Sequence, residues 1–282
     1  MKEYSAILIG CGTMGNRHRS RFEENGVRFS DVLDAGAMEI LQQGNWKRPD
    51  FAVVASPAST HYEYTKFFLE RKVPVMVEKP LAVTAAEARE LVELSEKNDT
   101  LLFVAQSECF NPIFLNFRKH FLAELHSMNN AGSVRMEFRR EHGYTDRCRD
   151  VDVSLDILVH DLSMFLTMFD YGDVQVIENN RVSPDRSTMT LKVCKGPFAG
   201  LMADFIADRN SPNDVRTISV KFNGSEYSVS LARYLPSGHI AHIPDSLDNE
   251  HKFFLKLLAG ACKEWGIRSA RAAAQIVELA TR

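Results

Sequence analysis

The sequence has no run approaching the roughly 18 apolar residues of a membrane-spanning helix. Its start, MKEYSAILIGCG, has too short an apolar stretch for a secretory leader, and glycines interrupt it at once. Cysteine is sparse and odd in number: Cys11, Cys109, Cys148, Cys194 and Cys262 lie far apart. None of them pair at zinc-ligand or thioredoxin spacing, which argues against a disulfide scaffold or a metal site and favours a reducing, cytoplasmic location. Charge of one sign is also lacking. A formal net charge of −3 gives no reason to expect nucleic acid or an anionic membrane as partner. Internal repeats and low-complexity tracts are absent too. What remains, 45% hydrophobic and 25% charged residues, is the composition of a globular protein, and 282 residues suggest two domains.

In the first half, YSAILIGCGTMGNRH runs from an apolar strand into Gly10-x-Gly12-x-x-Gly15. Gly10 permits a tight turn, Gly12 admits a pyrophosphate close to the backbone, and Gly15 lets the next helix pack on the strand. The free N–H groups of that helix start, from Thr13 and Met14 onward, attract phosphate. A second strand, VRFSDVLDAG, ends at Asp34, 19 residues past Gly15. A carboxylate there accepts hydrogen bonds from the adenosine ribose and repels a 2′-phosphate, so NAD is favoured. Arg17 and Arg19 keep NADP open as an alternative, and a turn aspartate is the plainer reading of Asp34. FAVVAS, VPVMVEKPL and TLLFVAQSE read as further buried strands separated by helices, with Thr84 and Glu87 set for a capping box. The alternation predicts a doubly wound parallel sheet, with ligands at the carboxyl ends of its strands.

After Pro112 the pattern changes. SVRMEFRRE alternates, TMTLKV, GLMADFIA and TISVKFNGSEYSVSLA read as strands, and Asn223-Gly224 marks a two-residue hairpin. The expected fold is therefore α/β: a Rossmann domain over residues 1–112, then an α+β domain over 113–282 with a largely antiparallel open sheet and two closing helices. Between the first of these strands and the rest lies SLDILVHDLSM. Leu155, Leu158, Val159 and Leu162 form an apolar face, while Asp156, His160, Ser163 and Thr167 recur on another. A solvated stripe explains such a pattern as well as a catalytic carboxylate and imidazole do. Asp161 points elsewhere and reads as structural. His142, His239, His242 and His251 have no partner motif and receive no role.

With GCGTMG, VASPASTH, EKPL, FNP and DILVHD, the chain resembles the glucose-fructose oxidoreductase / inositol dehydrogenase / rhizopine catabolism family (Gfo/Idh/MocA) over nearly its whole length. RCRDVDVSLDILVHD resembles members that oxidise UDP-N-acetylglucosamine at its 3-hydroxyl. The resemblance implies that Gly10, Gly12 and Gly15 hold the pyrophosphate and Asp34 the ribose. Ser56, Pro57, His61 and Glu78 would belong to the cofactor trough. Lys79 would stand between nicotinamide and substrate, with His160 and Asp156 completing the catalytic group and Lys79–Pro80 in cis. A homodimer or homotetramer through the second domain's sheet is implied as well. Arg147 and Arg149, just before the catalytic helix, could clamp a diphosphate, though a solvated charged loop fits them equally. Two departures stand out: only 15 residues separate Asp34 from Asp50, where most members have another helix and strand, and Cys109 replaces a frequent arginine.

Overall fold

A computed structural model describes residues 3–127, 131–146, 148–232 and 245–282. The chain forms two compact units, one of residues up to Gln106 with Leu247–Glu278, the other of Ser107–Ser246 with Leu279–Arg282.

In the first unit the elements alternate: β1 Tyr4–Ile9, α1 Thr13–Glu24, β2 Val27–Leu33, α2 Ala37–Gln42, β3 Phe51–Val54, α3 His61–Glu70, β4 Val75–Glu78, α4 Ala85–Lys97 and β5 Leu102–Ala105. All sheet pairings are parallel, in the order β2-β1-β3-β4-β5. Strands β3, β4 and β5 are buried along their whole length, as the uninterrupted apolar runs require when helices cover both faces. The chain leaves β1 for β2 on one side and returns to β3 on the other. That reversal opens a crevice at the carboxyl ends of β1 and β3. Between Asp34 and Asp50 there is room only for the six-residue α2, so β2 becomes an edge strand. The capping box on α4 is present, with Thr84 Oγ1 accepting from the Glu87 N–H.

The second unit carries α5 Pro112–Ser127, β6 Arg135–Glu141, a π-helical turn Ser154–Leu158, α6 Val159–Leu166, and strands β7 Val174–Ser183, β8 Arg186–Val193, β9 Met202–Asp208, β10 Val215–Phe222 and β11 Ser225–Ser230. Its six-stranded sheet, β11-β10-β6-β9-β8-β7, is antiparallel except at the central β6–β9 pair. Alternation gives one buried face, where Ile218, Phe138, Phe205 and Met189 lie opposite one another across four strands. Phe138 and Phe205 stack at 4.9 Å, and Phe165 of α6 meets both edge-on. Each such ring contributes about 1.5–3 kcal/mol when fully buried, so α6 is firmly seated. Asn223 and Gly224 both have positive φ, 48° and 79°, as their hairpin turn demands. Edge strand β7 has no counterpart in the sequence reading, because its largely exposed residues, VQVIENNRVS, lack alternation.

The closing helices α7 Ser246–Leu258 and α8 Lys263–Thr281 correct the expected domain limits. The sequence order puts both in the second domain, yet Leu247–Glu278 packs with the first unit. The cause is aromatic: Phe254 of α7 lies 5.0–5.9 Å from Phe22, Phe51 and Phe103, filling the space beneath α1, β3 and β5. Among the described residues no helix is long and apolar enough to cross a membrane.

Candidate active site

The glycine loop follows β1 directly. Gly10 has φ +98°, and a Cβ there would sit 2.5 Å from the Ala55 carbonyl oxygen. A Cβ on Gly15 would sit 1.9 Å from the Gly10 oxygen. Both are therefore closed to any side chain. Gly12 differs: a Cβ would meet nothing within 4 Å, so its backbone faces open space. Gly12 also N-caps α1 without any side-chain cap, leaving the N–H groups of Thr13 and Met14 for a ligand. Such a cradle fits a dinucleotide diphosphate. NAD bound there supplies the hydride-accepting carbon. Asp34 is exposed just past β2, whose last residue accepts the Gly10 N–H at 2.8 Å. Arg19 is occupied by Glu23 at 2.8 Å, while Arg17 is exposed on the same helix.

At the end of β3, Thr60 Oγ1 donates within the Ser56–Pro57 turn, 2.8 Å from both Ser56 Oγ and the Pro57 oxygen. His61 is 1% exposed and lies behind that turn instead of on its surface. Its Nδ1 is 2.7 Å from the Pro80 oxygen and its Nε2 2.9 Å from the Ser56 oxygen. Carbonyl oxygens only accept, so both bonds exist together when each ring nitrogen carries a proton. His61 thus ties the β3 turn to the segment after β4. That segment is Glu78-Lys79-Pro80, with the Lys79–Pro80 bond cis and Lys79 half-buried. Glu78 is buried, and its Oε2 accepts the Lys79 N–H at 3.1 Å. Burial opposes its charge most strongly, but the hydrogen bond to His18 and the charges of His18, Lys79 and His61 together outweigh it and hold the carboxyl below its usual range. Nearby, Glu250 of α7 accepts the Gln106 N–H at 2.6 Å. Burial, reinforced by the Glu78 charge, pushes the Glu250 carboxyl well above the ordinary range, so it is held neutral.

In the second unit Asp156 sits in the π-helical turn, where the Val159 N–H reaches five residues back to Ser154, and α6 with His160 follows at once. Wide turns of this kind recur at functional sites. The polar face is buried at Asp156, 9% exposed, and at Ser163, which donates to the His160 oxygen at 2.7 Å; His160 is half-buried, and only Thr167 at its far end is exposed. Asp156 is gripped by Arg209, whose Nη1 donates to Oδ2 at 3.1 Å. Arg209 is 2% exposed, and its remaining N–H groups go to Asp185 Oδ1 and to the oxygens of Cys148, Val151 and Pro184. One guanidinium so joins the end of β9, the loop before the π turn and the β7–β8 turn.

Arg149 donates to the Thr145 oxygen and to Asp185 and lies over the Tyr144 ring, so its visible work is to shape its own loop. Arg147 falls outside the described residues, as do His239 and His242. Asp161 is structural, as its position on the helix implies: it receives Arg140 Nε and Nη2 at 3.2 and 3.0 Å beneath the sheet. Arg140 also holds Glu108, and Cys109 beside it donates to Ser163 Oγ at 3.2 Å. Arg209, Arg140 and His18 escaped the sequence reading, since each stands alone with no motif around it. His251, given no role by sequence, proves to be buried against His18.

Residues 23–106 match the family described as oxidoreductase, NAD-binding Rossmann fold (GFO_IDH_MocA). That match lies wholly within the first unit. The chain is 23% identical over 222 residues to a UDP-N-acetylglucosamine 3-dehydrogenase of Acidithiobacillus ferrooxidans, covering 70% of this chain and 65% of that protein. It is 25% identical to the rhizopine catabolism protein MocA of Rhizobium meliloti, covering 84% and 74%. The aligned stretch is thus just under two thirds of the first relative's length. The solved structure of the Acidithiobacillus dehydrogenase, GnnA, superposes with a TM-score of 0.75 at 19% identity, covering 100% of this chain and 96% of that one. GenD2 from gentamicin A biosynthesis, solved in complex with NAD, gives 0.77 at 16% identity, covering 100% and 93%. At these identities the likeness shows a shared fold and nothing further.

Proposed function

We propose that this protein oxidises a secondary alcohol of a sugar with NAD, and that the sugar is nucleotide-activated, UDP-N-acetylglucosamine being the first candidate, reacting at its 3-hydroxyl. The observation that carries the reading is the buried Arg209–Asp156 pair one turn before His160, a carboxylate and imidazole held fixed in a chain whose other unit is built for NAD. Removal of hydride from a carbinol carbon requires the hydroxyl proton to leave as well. His160 takes that proton, having an imidazole suited to exchange near neutrality, and Lys79 stabilises the developing alkoxide. Asp156 orients the ring or holds a neighbouring hydroxyl. The product is a ketone. Gly10, Gly12 and Gly15 position the diphosphate, and Asp34 accepts the adenosine ribose hydroxyls, which favours NAD over NADP.

The nucleotide-sugar assignment draws on the name of one relative and on the basic stretch Arg147–Arg149. Arg149 is held through Nε and Nη1 by Thr145 and Asp185, while its Nη2 makes no hydrogen bond. Assembly through the second unit's sheet, in a cytoplasmic dimer or tetramer, belongs to the same proposal. The test is nicotinamide absorbance with UDP-N-acetylglucosamine, free N-acetylglucosamine and inositol. The UDP sugar is expected to react fastest, because binding of the remote nucleotide positions the reacting carbon. Equal rates for free and UDP-linked sugar would overturn the nucleotide-sugar reading and leave a simple sugar or inositol as substrate.

A further inference from the structure

Beneath the Glu78-Lys79-Pro80 segment, three buried side chains from three distant elements form a continuous chain. His251 of α7 points Nδ1 at the Leu247 oxygen. A carbonyl can only accept, so that nitrogen carries the proton. Burial, with the neighbouring His18, pushes the His251 imidazole down to about 3, so the ring holds no second proton and its Nε2 is an acceptor. His18 Nδ1, 2.8 Å from that Nε2, must therefore be the donor. On its other side His18 Nε2 lies 2.7 Å from Glu78 Oε1, with one proton between them. Glu78 Oε2 in turn accepts the N–H of Lys79. The directions from the Leu247 carbonyl to His18 Nδ1 follow from that one backbone acceptor, and a single proton is shared between His18 and Glu78.

The placement of His18 adds a second constraint. It lies on α1, the helix that opens on the glycine cradle, and it is fully buried. The groups facing this chain are His61 of α3, Lys79 itself, and Asp248 and the neutral Glu250 of α7. Phe22, one turn on from His18 along α1, meets the His251 ring edge-on at 4.1 Å, and all three side chains are fully buried. Nothing in the oxidation chemistry uses these buried groups directly.

We propose that His18 is a positioning residue: anchored by His251, it orients the Glu78 carboxylate and thereby fixes the Lys79 peptide relative to the helix that cradles the cofactor. The hydrogen-bonded route runs from α7 through α1 to the end of β4, so the helix that receives the diphosphate and the residue proposed to act on the substrate share one brace. Only the kinetic arm of the test rests on the proposed dehydrogenase activity.

The direct test reads the Lys79 amide. Protein labelled with 15N-lysine is followed by hydrogen exchange, with the amides of Lys66 in α3 and Lys97 in α4 as internal references. In His18→Leu the Lys79 amide is expected to exchange at least tenfold faster while the references hold. His251→Leu, which leaves His18 unanchored, serves if His18→Leu does not fold and should show the same direction more weakly. His18→Gln keeps a donor toward Glu78 and should recover part of the protection. NAD affinity, by calorimetry, should change no more than about threefold. With UDP-N-acetylglucosamine, kcat should fall at least tenfold in His18→Leu with little change in KM for NAD. An unchanged Lys79 amide in both leucine variants overturns the proposal. So does equal acceleration of all three lysine amides, which marks a purely structural residue. A wild-type protein inert toward every sugar defeats the dehydrogenase reading and leaves the exchange result standing.

Discussion

In the first unit the residues proposed to shape the cofactor site lie close together in the chain, and short-range geometry places them. Gly10, Gly12 and Gly15 span six residues, and Lys79 follows β4 immediately. In the second unit Asp156 is fixed by Arg209, 53 residues later, and Arg209 is itself braced by Asp185 on another turn. One unit builds with backbone that tolerates no side chain; the other builds with a buried guanidinium. A cradle of glycines is sensitive to added volume, whereas a buried ion-pair network is sensitive to the loss of any one member. The first unit has its own buried charges, but there they brace a site whose position the motif already sets.

That contrast can be tested, beginning where the effect is largest. Arg209→Met takes the buried guanidinium away from Asp156, while Asp185 keeps Arg149, and breaking such a buried pair costs about 3–5 kcal/mol. Urea unfolding of the variant should show that loss, and adding Asp156→Asn should restore part of it. Simple additivity of the two changes would show that the pair does not act as a unit. Next come the proposed reacting groups. Lys79→Ala and His160→Ala are each expected to lower turnover at least about a hundredfold, the lower end for acid–base groups. His160→Ala should leave NAD affinity almost intact, because the cradle lies in the other unit. Near-normal turnover of His160→Ala would remove the imidazole from the mechanism.

Gly15→Ala probes the cradle. Its Cβ would lie 1.9 Å from a backbone oxygen that cannot swing aside, so α1 must shift. Overpacking of this kind costs about 1–3 kcal/mol, and NAD binding should weaken sharply in calorimetric titration. Gly12→Ala meets open space and should fold normally while still weakening NAD binding. The smallest effect is a gain. Glu250, held neutral by burial, has its proton bound more tightly in the folded than in the unfolded chain. Its contribution is therefore fully present below the unfolded value near 4.5 and is lost as pH rises from there through the folded value. Glu250→Gln mimics the neutral acid and should raise Tm at neutral pH by about 2–4 °C, what about 1 kcal/mol gives a unit of this size. At pH 4 the gain should vanish. Glu78 has the opposite sign, its stabilisation being lost as pH falls through its depressed folded value. A Glu250→Gln gain that persists at pH 4 would mean that relief of packing, not of charge, is responsible.

The parallel sheet, the glycine cradle, the α4 capping box and the Asn223–Gly224 hairpin were all legible in the sequence. Each depends on residues within a turn or two, and a positive φ, a capping oxygen or a fully apolar strand leaves its mark on neighbours. The helix holding Asp156 and His160 was legible as a periodic face, but its π turn was not, because the extra residue is accommodated without a break in the apolar pattern. Strand β7 escaped because an exposed edge imposes no alternation. The closing helices were assigned to the wrong unit because an apolar face such as that of Phe254 and Leu257 does not specify which core it fills.

The sequence by itself therefore determined the class of fold, the glycine loop proposed as the cofactor cradle, and the presence of a lysine, an aspartate and a histidine in a recognisable order. The tertiary structure decided which buried charges meet: Arg209 with Asp156, His18 with Glu78 and His251, Arg140 with Asp161. The reason is physical. Removing a charge from water is unfavourable unless a partner is supplied, and the partner need only be near in space. A lone arginine at a strand end or a lone histidine on a helix carries no local sign of that partner until the chain has folded.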